Sequence, residues 1–136
     1  MEYTGEWDRD GSIFEVFMLG DKEIIAFVGV SDADKARAFY RDTLGLTMMF
    51  EDSSSLTFIV GGTILRATLV HSVQPQPYPV LGWQVEDATS AVRALANVER
   101  NSHVEQDGDG IWTAPGGLRI ARFKDPDGNI LSVAQL

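Results

Sequence analysis

The strongest constraint on the fold is an internal repeat. Residues 30–36, VSDADKA, and residues 85–91, VEDATSA, share the pattern V-x-D-A-x-x-A at an offset of 55. A second pattern, G-x-I-L, occurs at 62–65 and again at 128–131, at an offset of 66. In both places the first pattern follows an apolar run and precedes a helical spacing. The chain therefore predicts two copies of one unit, the second about 11 residues longer between its patterns.

Each copy predicts the element order βαβββ. In the first copy we expect a strand at 24–30 and a helix that Asp32 caps and Gly45 ends. Alternation and turn residues then predict strands at 46–51, 56–60 and 63–70. The second copy predicts a strand at 81–85 and a helix from Asp87 to Leu95. Its later strands are expected near 103–106, 111–113, 118–124 and 129–135.

The length suits one domain with a true core, since 136 residues with 44% hydrophobic residues can bury enough apolar surface. We divide the chain into an N-terminal extension, 1–22, and a single domain, 23–136. Within the domain, module one covers 23–73, the proline-rich linker 74–79, and module two 80–136. The extension contains Trp7 and an apolar run at 13–19, which could form an added strand, a dimer contact or a docked tail.

Composition excludes several classes of function. Cysteine is absent, so thiol nucleophiles, thiolate metal sites and disulfides are excluded. The formal net charge of −9 repels phosphate backbones, so we expect no nucleic-acid partner. No apolar run reaches the length of about 20 residues that a membrane span needs, and the first residues lack a signal-peptide pattern. We expect a cytoplasmic protein with no membrane partner.

Two motifs resemble one known family. The helix end at 38–46, AFYRDTLGL, and the terminal stretch at 123–131, FKDPDGNIL, are similar to the vicinal oxygen chelate superfamily. That superfamily includes glyoxalase I, extradiol dioxygenases, and the bleomycin and fosfomycin resistance proteins. The resemblance covers 23–136. It implies an α+β fold in which two βαβββ modules form a cupped mixed sheet around a cleft, with the helices outside, commonly within a homodimer.

The resemblance also implies where a metal would be held, by side chains on the first and last strand of each module. In this chain those positions are Ile25, Arg66, Val80 and Ser132. Ile and Val have no donor atom, Arg is a permanent cation, and a lone Ser hydroxyl is a poor ligand for a divalent ion. Ser132 stands where metal-dependent relatives carry a glutamate. We therefore predict no metal and no cofactor at these positions.

A replacement metal site would need one of the two histidines. His71 lies at a strand end and His103 in an acidic turn region, so neither is favoured as a ligand. Elsewhere the chain has no G-x-S-x-G elbow, no phosphate loop and no H-E-x-x-H motif.

Strand alternation predicts which side chains face the cleft. Ile25, Phe27 and Gly29 should share the inner face of the first strand, and Val80, Gly82 and Gln84 are their counterparts. The opposite faces should pack on the helices.

Arg66 is expected on the inner face, where a guanidinium needs an acceptor. It could form an ion pair with an acid such as Glu51, contact a ligand directly, or be exposed to solvent if the strand register differs. Trp112, between glycine-rich turns, could form a cavity wall or cover the core. The predicted ligand-binding residues are Arg66, Ser132, Gln84, Phe27, Trp112 and Phe123.

Two functions are compatible with these features. The first is a metal-free protein that binds a small organic molecule in a cleft, for sequestration or resistance, within a homodimer. The second is a lyase, isomerase or dioxygenase of the same superfamily that acts on a small carbonyl or oxygenated substrate. Neither the ligand nor catalytic residues can be assigned from the sequence.

Overall fold

The computed structural model describes residues 5–7, 13–15, 18–99 and 107–136. In these ranges the chain forms ten strands and two short α-helices. Two N-terminal strands, β1 (Gly5–Trp7) and β2 (Ile13–Glu15), pair with each other in an antiparallel sheet of their own. The extension therefore contains strands, and these do not join either module sheet in the described residues. A dimer contact and a docked tail stay predictions.

Module one has four strands and one helical segment. In chain order these are β3 (Ile25–Val30), α1 (Ala33–Ala36), β4 (Thr47–Glu51), β5 (Ser55–Val60) and β6 (Thr63–Leu69). Asp32 caps α1 as predicted, because its carboxylate accepts from the Lys35 backbone N–H at 3.0 Å. The chain then continues as a π-helix over Arg37–Thr43, a winding that apolar spacing does not distinguish from an α-helix. Gly45 follows with φ of +76°, a left-handed conformation that favours glycine.

Module two repeats this order. Its elements are β7 (Leu81–Gln84), α2 (Ala88–Ala94), β8 (Trp112–Thr113), β9 (Arg119–Lys124) and β10 (Ile130–Gln135). Asp87 caps α2 by accepting from the backbone N–H of Thr89 at 3.0 Å. The strand predicted near 103–106 lies outside the described residues.

The two module sheets have the same topology. Their strand orders are β3-β6-β5-β4 and β7-β10-β9-β8, with the first and last strands of each module parallel and the other neighbours antiparallel. Ala26 pairs with Leu65 in module one, and Leu81 pairs with Leu131 in module two. These pairs are related by the offsets of 55 and 66, so the sequence repeat corresponds to equivalent backbone pairing. The predicted α+β class with two βαβββ modules is confirmed.

One face of each module sheet forms the core. Val28, Leu65, Leu131 and Val133 are buried on these faces and belong to one hydrophobic cluster that includes residues of both modules. The Tyr40 ring, on the π-helix, contacts Phe58 with ring centroids 6.0 Å apart. Burial of these apolar faces orients both sheets, because a one-residue register slip would expose the whole set.

A buried polar network joins the modules at the turn before β10. The Tyr40 hydroxyl donates to Asp125 Oδ2 at 2.7 Å, and Asn129 Nδ2 donates to the Gly29 carbonyl at 2.8 Å. At the exposed edge of this network, Ser31 also donates to the Asp127 carboxylate from both its backbone N–H and its hydroxyl. Burial, together with the Asp125 charge and hydrogen bond, raises the pKa of the Tyr40 hydroxyl. The D-P-D-G-N stretch is thus both a turn and an attachment point between modules.

In the described part of the chain, no helix has the length and apolar character needed to cross a bilayer.

Candidate functional site

We use the term open face for the side of each module sheet that does not pack on the core. In module one this face includes Ile25 and Phe27, whose side chains are 50% and 63% exposed, whereas the alternate residue Val28 is 4% exposed. The predicted inner face of the first strand is therefore the open face. Large apolar side chains on it are accessible to another molecule.

Four side chains form a row across the open face of module one. Strand register places Phe27 opposite Arg66, Arg66 opposite Thr57, and Thr57 opposite Phe50. Directly opposite residues of neighbouring strands share a face and lie close together. The row thus alternates an exposed phenyl ring, a guanidinium, a hydroxyl and a second exposed ring.

The ion pair considered between Arg66 and Glu51 is absent. Glu51 instead accepts two hydrogen bonds from Arg37, at 2.9 and 2.7 Å, which lower the pKa of its carboxyl. In the described ranges no carboxylate lies within 4 Å of the Arg66 guanidinium. Arg66 is only half-buried, so water can solvate it in the free protein.

Thr57 is the other polar member of this row. Its side chain is buried at 4% exposure, and its hydroxyl oxygen has no hydrogen-bond partner among the residues that the structure describes. Burial of a hydroxyl without a partner costs free energy, so such a group calls for an explanation.

The open face of module two has different side chains at the equivalent positions. Gly82 pairs with Ser132, and Ser132 pairs with Arg122 on the next strand. A Cβ atom added at Gly82 would lie 2.7 Å from Ser132 Oγ, so the glycine provides the space for this hydroxyl. Gln84 and Trp112 lie on the same face, in the row Gln84, Ala134, Ile120 and Trp112.

Phe123 lies on the opposite face from the other predicted ligand-binding residues. It pairs with Leu131 on the core side, is 1% exposed, and stacks on Trp83 with ring centroids 6.3 Å apart. Strand alternation thus separates Phe123 from Arg122 and Ser132, and its contact with a ligand stays a prediction. The two rings contribute to an apolar cavity of about 240 Å³ between the modules, which Leu44, Leu46 and Leu95 also line.

The four positions implied for a metal are neighbours within each module. Arg66 pairs with Phe27, two residues beyond Ile25, and the Val80 backbone N–H donates to the Ile130 carbonyl, two residues before Ser132. No strand of one module sheet is hydrogen-bonded to a strand of the other in the described ranges. Convergence of all four side chains at one point stays a prediction.

These residues do not fit a divalent metal ion. Two are hydrocarbons, one is a cation, and one is a neutral hydroxyl, whereas protein side chains hold such ions mainly through carboxylate, imidazole or thiolate donors. Within 18–99 and 107–136 the side chains of His, Asp and Glu do not form a group of three that could hold a metal. His71 is exposed, and His103 is outside the described residues.

Sequence reasoning missed Thr57 and Phe50. The signal for Thr57 is the two-residue turn Gly61-Gly62, which places Val60 opposite Thr63 and hence Thr57 opposite Arg66. No comparable signal identifies Phe50, because a register irregularity between Met48 and Phe50 changes the alternation of β4.

Comparison with known families agrees with this architecture. A family model described as Glyoxalase/Bleomycin resistance protein/Dioxygenase superfamily matches residues 24–133. Among curated proteins, none matches the chain at a significant level.

Solved structures with the same fold include three bacterial proteins. A superfamily member from Sphaerobacter thermophilus is 24% identical with a TM-score of 0.68, over 88% of this chain and 100% of that one. A lactoylglutathione lyase from Agrobacterium tumefaciens is 18% identical with a TM-score of 0.65, over 85% and 93%. A glyoxalase family protein from Enterococcus faecalis is 20% identical with a TM-score of 0.63, over 86% and 99%. At these identities the similarity shows the fold alone.

Proposed function

Because this chain belongs to the Glyoxalase/Bleomycin resistance protein/Dioxygenase superfamily, we propose that it binds a small organic molecule on its open faces without a metal ion. Sequestration of that molecule is the proposed outcome. The observation that carries this proposal is the donor set at Ile25, Arg66, Val80 and Ser132, which is unsuited to a divalent cation.

The exposed apolar side chains support an organic ligand. Ile25, Phe27, Phe50 and Ile59 are all between 44% and 63% exposed. They lie on one sheet face together with a few polar groups, the combination that is typical of small-molecule sites. A metal centre is not needed for contacts of this kind.

We also propose a homodimer in which a second copy covers part of this apolar surface. Exposed apolar patches on soluble proteins mark interaction surfaces, and symmetric pairing of identical chains is the commonest assembly. Light scattering at micromolar concentration should give about twice the chain mass of 14.9 kDa. A mass of one chain across that range would contradict the dimer.

Metal analysis tests the metal-free proposal directly. Protein purified without chelator, then incubated with Zn²⁺, Ni²⁺, Fe²⁺ or Mn²⁺ and desalted, should retain well below one equivalent. Retention of one equivalent that is lost on Ser132→Ala would contradict the proposal.

A gain-of-function variant tests whether the four positions meet. A variant with four combined substitutions should retain one equivalent of Zn²⁺ or Ni²⁺, because its donors would suit these ions. The substitutions are Ile25→His, Arg66→Glu, Val80→His and Ser132→Glu. Arg66→Glu alone is the matched control and should retain none. Failure of a folded four-site variant to hold metal would mean that the positions do not converge.

Product analysis separates binding from the alternative catalytic function. A molecule that binds and is recovered unchanged after long incubation supports sequestration. Its conversion by a substoichiometric amount of protein, relative to the molecule, would instead identify a lyase, isomerase or dioxygenase.

A further inference from the structure

We propose that the open face of module one is specific for an organic anion, an aromatic carboxylate whose charge is bound by Arg66 and Thr57 while its ring packs on Phe27. This inference rests on the proposed function and adds the chemical class of the ligand. It depends on two polar side chains that lie side by side and have no protein partner within the described ranges.

The first of these groups is the Arg66 guanidinium. It has five N–H donors in a planar arrangement that matches a carboxylate, and no protein carboxylate within 4 Å in the described ranges. Arg66 is held on the central part of the sheet between β3 and β5. An anion arriving at this face would therefore meet a cation that is not already neutralised.

The second group is the Thr57 hydroxyl. It lies opposite Arg66 on β5, is closed to water, and has no partner among the protein groups of the described ranges. A hydroxyl can donate to a carboxylate oxygen, so a ligand that satisfied it would recover the free energy lost by its burial. This observation is independent of the charge on Arg66 and points to the same spot.

The side chains around Arg66 and Thr57 favour a ligand with an aromatic ring. Phe27 lies opposite Arg66 on the other side and is 63% exposed, and Phe50 lies opposite Thr57 and is 49% exposed. Aromatic pairs in offset or edge-to-face arrangements add to the free energy of area burial. The row therefore has apolar ends and a polar centre, complementary to a ring with a carboxylate.

The net charge of the chain indicates that an anion is bound by specific contacts rather than by long-range attraction. At a formal net charge of −9 the chain repels anions at long range, so nonspecific attraction cannot account for anion binding. An anion that binds must be held by specific contacts, and Arg66 and Thr57 offer such contacts on this face.

Binding also requires a movement of a side chain. Because Thr57 is 4% exposed, a ligand oxygen reaches its hydroxyl only if a neighbour turns aside. Arg66 is half-buried and unpaired in the described ranges, so its long side chain can change rotamer without breaking an ion pair. We expect the guanidinium to move onto the carboxylate as the ligand enters.

The experiment uses the full chain and a panel of matched probes. Aryl carboxylates from benzoate to naphthoate and their carboxamides are titrated at pH 7 while backbone amide shifts are followed by NMR. Carboxylates should shift residues of β3, β5 and β6, and the carboxamides should bind at least about tenfold more weakly. Arg66→Gln should weaken carboxylate binding at least about tenfold, and Arg93→Gln, on the exposed face of α2, should not.

Thr57→Val distinguishes a ligand contact from a structural hydroxyl. Removal of an unpartnered hydroxyl should raise the melting temperature by about 2–4 °C, while carboxylate affinity falls about three- to tenfold. Thr113→Val, at an exposed position of β8, should change neither. A loss of stability with unchanged affinity would overturn the role assigned to Thr57.

The remaining outcomes separate this inference from the function on which it rests. Equal binding of carboxylates and carboxamides at this face, insensitive to Arg66→Gln, would overturn the anion specificity and leave metal-free organic binding intact. If no probe of either class perturbs the open faces, both the inference and the proposed binding of organic molecules fail.

Discussion

The two modules share a backbone plan but differ on their open faces. Phe27 pairs with Arg66 in module one, and the equivalent pair in module two is Gly82 with Ser132. On the next strand the two residue types are reversed. Thr57 lies opposite Arg66 in module one, whereas Arg122 lies opposite Ser132 in module two. Each module therefore has one arginine and one hydroxyl in this cross-strand pair, on opposite strands.

This difference shows which constraints act on each face. The core faces must bury apolar side chains in a fixed register, so the two repeats retain Leu65 and Leu131 at equivalent positions. The open faces have no such requirement, and their side chains are available for a ligand. The same backbone thus supports two surfaces that each carry an arginine and a hydroxyl, with Phe27 beside them in module one and Gly82 in module two.

The largest expected effect concerns the turn before β10, which links module two to module one through Asp125. Asp125→Ala would leave the Tyr40 hydroxyl and the Asn129 backbone N–H without their acceptor, in a site where Asp125 is 3% exposed. We expect a loss of about 3 kcal/mol or more in the free energy of unfolding, measured with urea. The equivalent position in module one is Ile59, and Ile59→Ala should cost below about 1 kcal/mol because that side chain is 44% exposed. Equal losses of unfolding free energy in the two variants would mean that the two equivalent positions contribute equally to stability.

The pH dependence of stability tests the same link. The pKa of Tyr40 is raised in the folded state by burial and by Asp125, while an unfolded tyrosine titrates near pH 10. Above about pH 10 the unfolded chain loses this proton and the folded chain keeps it, so stability is complete below that pH and falls as pH rises. The contribution of this one group is at most about 1.4 kcal/mol per pH unit.

Unfolding by urea between pH 8 and 11 measures this slope. Tyr40→Phe should make it shallower than in the wild type, and Tyr78→Phe, at an exposed position, should leave it unchanged. Identical slopes for the wild type and Tyr40→Phe would contradict a neutral, hydrogen-bonded Tyr40.

The Gly82–Ser132 contact gives a smaller, coupled effect. Gly82→Ala places a Cβ atom 2.7 Å from Ser132 Oγ, so the serine must turn or the strands must separate. In the Ser132→Ala background that oxygen is gone. A double-mutant cycle should give a coupling of about 1 kcal/mol, with Gly82→Ala less costly when Ser132 is absent. Additive changes would show that the serine rotates without strain.

The smallest effect is expected at Arg66. Since no carboxylate in the described ranges pairs with it, Arg66→Ala should change the free energy of unfolding by within about 0.5 kcal/mol. Arg37→Ala, which removes the ion pairs to Asp34 and Glu51, should cost more. A large loss at Arg66 would reveal an acidic partner and weaken the case for a ligand contact.

The sequence by itself determined the fold class and most of its elements. The repeat at offsets of 55 and 66 predicted two equivalent modules, and these are observed. The capping residues Asp32 and Asp87 and the alternation of β3 are local features, and each corresponds to an observed element. Local signals suffice here because caps, turns and strand faces depend on neighbouring residues of the chain. Alternation also placed Phe27, Arg66, Gln84 and Ser132 on the open faces, although their roles stay predictions.

Only the tertiary structure decided the partners of the side chains. Glu51 was considered for Arg66 but binds Arg37, which approaches from the helical segment across a sequence separation that no local pattern specifies. Phe123 was predicted to bind a ligand, and the side of the sheet on which it lies is seen only in its pairing with Leu131 and its stacking on Trp83. The unpartnered Thr57 hydroxyl likewise depends on what surrounds it in space. Such contacts are set by packing between distant segments, where geometry and burial, rather than spacing along the chain, determine which groups meet.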